Sequence, residues 1–153
     1  KYVYKINNSQ TPDPFQRNYC YQIAKALDAD AMQLAAEYLA GTHDFKCFQA
    51  AGGKELETTV RTIFSAGFFI SEQDDIQFEI IGDGFLYNMV RIITGTLIEV
   101  GLGRKKPREI LEMIESRDRR MAGHTAPPQG LYLNEIYYDK EVLRKAASQN
   151  LQR

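Results

Sequence analysis

Sulfur and imidazole are scarce in this sequence. Its 153 residues hold two cysteines and two histidines. Cys20 and Cys47 form no CxxC pair, and neither sits in a cluster with His43 or His124. That pattern supports neither a structural metal site nor a disulfide framework, and it fits a reducing cytosol. No apolar run approaches the length of a membrane span. There is no signal-peptide pattern and no initiator Met. The first residues already read as a strand, so the expectation is of a fragment or excised domain. Also missing are a phosphate-cradling glycine loop followed by Lys-Ser or Lys-Thr, a nucleophile elbow, a zincin helix and an EF-hand loop. No internal repeat or low-complexity segment divides the chain.

What remains is ordinary in bulk and uneven in detail. Apolar residues make up 44% and charged residues 25%, values of a globular protein with a real core. The net charge of -1 points to no particular partner. Residues 104–120, however, carry seven cations against four anions. Arg104, Lys105 and Lys106 open that stretch, which could meet phosphate. The competing reading is a solvated helix and its flanks.

Periodicity predicts the elements. Residues 1–6 alternate as a strand, with Tyr2, Tyr4 and Ile6 on one face. Residues 7–14, with Pro12 and Pro14, form a loop. In residues 15–26, Tyr19, Tyr21 and Ile23 are expected to pack against something. Asp28 caps a helix striped by Met32, Ala35, Tyr38 and Leu39, which Gly41 ends. Residues 58–70 and 76–81 read as strands joined by a polar hairpin loop at 72–75. A second helix is predicted over about 85–100, with Gly101 and Gly103 ending it. A third begins at Pro107. Residues 131–138 form a last strand, and 140–153 a helical or frayed tail. This is an α+β layout, an antiparallel or mixed sheet with helices packed on one face. One domain is expected over 1–139.

Four places could carry chemistry. Arg91 is the lone cation on an otherwise apolar helix. It must meet a carboxylate, a phosphate or water, because an unpartnered buried guanidinium is expensive; a structural salt bridge or a snorkelling Arg is the equally weighted alternative. Gly95, one turn on, lets another backbone or a ligand approach. The stiff loop at 123–133, with His124, Pro127, Pro128 and Leu131, either lines a pocket or simply connects two elements. Tyr2 is either half-buried packing or a surface on which a base stacks, whereas Tyr4 reads as core. His43 and Asp44 are adjacent, and Asp44 reads better as a cap or turn residue than as an acid–base group.

Four ordered blocks carry a family resemblance. They are KYVY at 1–4, GTHDFKCF at 41–48, GDGFLYNMVRIITGTLIEVGLG at 82–103 and AGHTAPPQGLYL at 122–133. Together they resemble the C-terminal half of the tRNA pseudouridine synthase A family. That resemblance implies a pseudouridine-synthase-type domain in an enzyme that isomerises uridine in the tRNA anticodon stem-loop. It implies no metal and no organic cofactor, tRNA as partner, a homodimer in the full-length protein, no membrane, and a cytoplasmic setting. A base that must leave its stack to react explains aromatic and apolar pocket walls.

Carried over by residue, the resemblance makes Tyr2 the ring that stacks on the target base. Arg91 becomes the partner of the catalytic aspartate, and Leu131 part of the apolar wall. Arg104, Lys105 and Lys106 become possible RNA-backbone contacts. The departure is that the family's aspartate belongs to a Gly-Arg-Thr-Asp block in the preceding half. Here the one Arg-Thr pair, Arg61-Thr62, is followed by Ile63. The chain alone is therefore expected to lack activity, with its pocket wall facing solvent. The alternatives are a non-catalytic RNA-binding module and a protein-interaction domain on the same scaffold.

Overall fold

The computed structural model describes residues 1–71 and 75–150. Residues 72–74 at the expected hairpin tip, and residues 151–153 of the tail, lie outside the described residues.

The chain folds as an α+β domain around one strand. That strand is β1 (Tyr2–Asn7). Along one edge it pairs antiparallel with β5 (Asp75–Gly82). Its other edge is shared: β6 (Leu131–Leu133) runs antiparallel to residues 2–4, and β2 (Tyr21–Gln22) runs parallel to Ile6 and Asn7. Pairing on both edges leaves few backbone groups of β1 for water, which is how a strand sits in the interior of a sheet. Beyond β5 come β4 (Val60–Ile70) and β3 (Gly41–Asp44), so the order is β2-β1-β5-β4-β3 with β6 also on β1.

Among the described residues four α-helices complete the domain: α1 (Ala29–Glu37), α2 (Met89–Gly101), α3 (Glu109–Ser116) and α4 (Lys140–Asn150). Asp28 caps α1 as expected, its side chain accepting from the Ala31 amide at 2.9 Å. The core joins Tyr4, Ile6, Phe78 and Ile80 of the sheet to Met32, Ala35 and Ala36 of α1 and to Ile93 and Leu97 of α2. Each large aliphatic side chain buried there contributes roughly 1.5–3 kcal/mol. The tail helix α4 packs against β4 and buries Ala147. No helix among the described residues is long and apolar enough to cross a membrane.

Several boundaries differ from the sequence reading. Helix α1 stops at Glu37, and Gly41 instead opens β3 with a φ of +114°. Alternation over two to four residues is too short to reveal β2 or β3, which form because β1 and β4 offer them an edge. The last strand ends at Leu133, since β1 offers partners only as far as Tyr2; the amides of Asn134 and Glu135 then both turn to the Lys1 carbonyl. Ile136 and Tyr138 are consequently exposed, and so is Tyr19.

Hydrogen bonds tie the 122–130 loop to the sheet and to α3's flank. The Tyr4 hydroxyl donates to the Pro127 carbonyl at 2.6 Å, and burial pushes its pKa up, keeping it a donor. Arg119 donates to the Gly123 carbonyl at 2.9 Å. Tyr4→Phe should therefore cost about 1–2 kcal/mol, because it strands a carbonyl that Tyr4 now serves. Urea unfolding reads this directly; an unchanged midpoint would mean that the bond does not hold the loop.

Candidate active-site cleft

The cleft begins with an interrupted helix. Residues 82–88 were expected to enter a helix near Phe85, yet α2 starts only at Met89. Asn88 stands in the left-handed region, with φ 57° and ψ 12°. Asparagine tolerates that conformation better than most residues. The break keeps Phe85 out of the helix, where its ring meets Tyr2 edge-on at 5.2 Å between centroids.

The result is a cleft of about 300 Å³ lined by Tyr2, Leu131 and the run 85–91. Tyr2, Arg91 and Leu131, scattered over the chain, thus share one concavity. They arrive from three elements: β1, the first turn of α2, and β6, in which Leu131 pairs with Tyr4. A hollow of about 350 Å³ between β1 and the 16–20 loop is larger, but it is lined by residues such as Lys5, Cys20 and Asp75 and holds none of these three.

Arg91 is partly buried and its partners are neutral. Its Nε donates to the Ala126 carbonyl at 2.7 Å, and an Nη donates to Asn88 Oδ1 at 3.1 Å. The Ala126 amide returns a bond to the Arg91 carbonyl at 3.0 Å. Among the described residues, no carboxylate lies within ion-pair distance of Arg91. Asn88 gives its side chain to Arg91 and makes no capping bond to α2. The positive end of the helix and the guanidinium therefore meet at the same wall, a setting that favours an anion.

The rest of α2 explains how Arg91 is held. Residues 123–126 run as an extended strap across the helix. Gly95 is obligatory under it, because a Cβ there would stand 1.9 Å from the His124 carbonyl oxygen. Beyond Gly95, the Gly123 amide donates to Thr96 Oγ1 at 2.8 Å. The His124 amide and Nδ1 both reach Glu99 Oε1, at 3.0 and 3.1 Å. Burial alone would raise the Glu99 pKa; the bonds from His124 and the charge of Lys105 outweigh it and hold the carboxyl below its usual range.

Other candidates fall elsewhere. Asp44 accepts from the Lys46 amide and from Thr59 Oγ1, a turn role, and His43 contacts the Ala40 carbonyl at 3.0 Å. Cys47 is buried, its thiol pushed up to about 12 by desolvation. The cationic stretch divides. Lys105 is occupied by Glu99 at 3.7 Å and by the Met121 carbonyl. Arg117 faces Asp44, and Arg120 pairs with Asp118, whose carboxyl it holds down at about 2. Arg104 and Lys106 remain exposed. Asn88, Phe85 and Glu99 had no role in the sequence reading; an asparagine just before an apolar helix was the one available hint of a left-handed entry.

Comparison with known proteins bears on this cleft. A family model described as tRNA pseudouridine synthase matches residues 35–139. The chain belongs to the tRNA pseudouridine synthase family. It is 51% identical over 138 residues to tRNA pseudouridine synthase A 2 of Clostridium tetani, covering 90% of this chain and 55% of that protein. It is 51% identical over 140 residues to tRNA pseudouridine synthase A of Acetivibrio thermocellus, covering 90% and 56%. For tRNA pseudouridine synthase A of Bacillus subtilis the identity is 45% over 139 residues, covering 91% and 56%. The chain thus spans about half the length of the curated synthases it matches.

Two outcomes follow from the strap. Gly95→Ala should destabilise the domain by about 2–3 kcal/mol or more, since helix and strap must separate to admit the methyl; a denaturation midpoint like the parent's would refute that close approach. Because the folded pKa of Glu99 is depressed, its contribution to stability is present above the unfolded carboxylate pKa of about 4.3 and is lost as pH falls through the lower folded value. The stability difference between the parent and Glu99→Gln should hold steady above about pH 5 and shrink below about pH 4. Parallel pH–stability curves would contradict the assignment.

Proposed function

We propose that this chain forms the uridine-binding wall and the counter-ion of a tRNA pseudouridine synthase active site. The observation that carries the reading is a partly buried Arg91 with only neutral partners among the described residues, in one cleft with Tyr2 and Leu131. A guanidinium so placed is best satisfied by an incoming carboxylate, with which it can form two parallel bonds. In this reading that carboxylate is the catalytic aspartate of a Gly-Arg-Thr-Asp block, which the present sequence does not contain.

Each side chain then has a role in the isomerisation. Arg91 keeps the aspartate ionised and oriented, lowering its pKa by charge and hydrogen bonding. Tyr2, braced by Phe85, stacks on the extruded base. Leu131 closes the apolar side and limits water. The base is detached from its ribose, turned, and rejoined through carbon, with the aspartate acting as nucleophile or proton-transfer group. The substrate in this reading is a uridine of the tRNA anticodon stem-loop, bound by a homodimer in the cytoplasm. Exposed Arg104 and Lys106 are suited to its phosphates, whereas Lys105 contributes mainly to holding Glu99.

A turnover assay tests the reading. The 153-residue chain alone should release no pseudouridine. Joined to the portion of the Clostridium tetani synthase that it does not cover, it should become active. In that joined enzyme Arg91→Ala should lower kcat by about 100-fold or more, the scale of a broken buried ion pair, while leaving the fold intact. Tyr2→Leu should reduce kcat more than tRNA affinity. Near-normal pseudouridine formation by Arg91→Ala would remove Arg91 from the mechanism and favour a plain RNA-binding role.

A further inference from the structure

Eleven of the thirteen residues of α2 are buried, and the two exceptions are Arg91 and Glu99. Eight residues apart, they lie on the same side of the helix, about 12 Å from one another along its axis. Gly95 lies midway between them, and the strap 123–126 crosses this face in the opposite direction to the helix. Each end of the crossing is fastened by more than one bond. At one end, Arg91 and Ala126 exchange a backbone bond and a side-chain bond. At the other, one oxygen of Glu99 accepts from both the amide and the ring of His124.

The strap leads onward into the cleft. Pro127 receives the Tyr4 hydroxyl, Gly130 lies against the Tyr4 ring where a Cβ would come within 2.7 Å, and Leu131 follows as the first residue of β6. The carbonyl that fixes Arg91 Nε and the leucine of the apolar wall are thus consecutive features of one segment. Its far anchors are Glu99, through His124, and Thr96, through Gly123. Thr96 and Arg119 also hold the strap, at Gly123 and Thr125, so loss of the Glu99 anchor loosens Ala126 rather than releasing it. A shift there turns the guanidinium, because Nε takes its direction from the Ala126 carbonyl.

We infer that Glu99, acting with His124, is a positioning residue for Arg91, touching neither substrate nor aspartate. The inference rests on the reading of Arg91 given above. It is specific to the acceptor geometry of a carboxylate: Gln keeps the size of Glu99 but loses the charge and half of the acceptor capacity. Lys105, at 3.7 Å from the other oxygen, and the Tyr21 ring beside His124 also adjoin the anchor.

Two readouts decide it. The first uses the 153-residue chain and follows solvent exchange of the Arg91 Nε–H by nitrogen-15 NMR, assigned by its disappearance in Arg91→Lys. In Glu99→Gln, at a temperature where the domain is fully folded, that proton should exchange at least about 10-fold faster. The second is the kcat-against-KM split in the joined enzyme. There Glu99→Gln should lower kcat by about 10-fold, with KM changed by less than about 2-fold, the signature of a displaced group rather than lost binding. His124→Asn, which keeps the backbone donor, should fall between the parent and Glu99→Gln in both.

If Glu99→Gln does not fold, His124→Asn and His124→Ala carry the same comparison. Unchanged exchange and unchanged kcat in folded variants would overturn the inference and leave Glu99 as a stability residue. Normal turnover of Arg91→Ala would instead overturn the functional reading, and the exchange rate of Arg91 Nε–H would still decide whether Glu99 orients it.

Discussion

A guanidinium held at the edge of the core by a carbonyl and an amide oxygen is an unfinished arrangement. Arg91 is hydrogen-bonded but its charge is not neutralised among the described residues. Charged groups are costly to desolvate, and neutral acceptors compensate only part of that cost. Much of the surrounding structure can be read as keeping this group in place. The left-handed Asn88 stops the helix early and supplies one acceptor. The strap supplies the other. Gly95 exists as glycine because the strap must lie within contact of the helix backbone.

Family membership gives this constraint its meaning, and the constraint in turn says what the half-length chain contributes. The proposed function needs an ionised carboxylate beside a base that has left its stack. The described residues offer a ring, an apolar wall and a fixed positive charge in one cleft of about 300 Å³. They do not offer the carboxylate. In the proposed reading the arrangement is a prepared half-site, in which geometry is set by packing before substrate arrives, as electrostatic preorganisation requires.

How much of this was legible in the residues can be judged case by case. The long elements were, because α2, β4 and β5 carry enough apolar periodicity to declare themselves. Asp28 as a cap and Gly95 as a point of close approach were also readable, since each rests on local chemistry. The short strands β2 and β3 were not: two to four residues hold no period, and their pairing is decided by edges that β1 and β4 provide from far along the chain. The site showed the same division. Arg91 stood out as a lone cation on an apolar helix, but its acceptors, Ala126 and Asn88, depend on a tertiary crossing and on a backbone conformation. Glu99 carried no signal in the sequence, because its partner His124 lies 25 positions away. The cationic stretch read as one patch, yet folding places several of its members against acidic side chains and carbonyls.

The most direct test of the central claim is a distance. In an experimental structure of this chain joined to the aspartate-bearing portion of a relative, the carboxylate of the Arg-Thr-Asp block should lie within about 4 Å of the Arg91 guanidinium, the range of an ion pair. Tyr2 and Leu131 should flank it. An Arg91 that keeps only its neutral partners, with the aspartate more than a Debye length of about 8–10 Å away, would contradict the account.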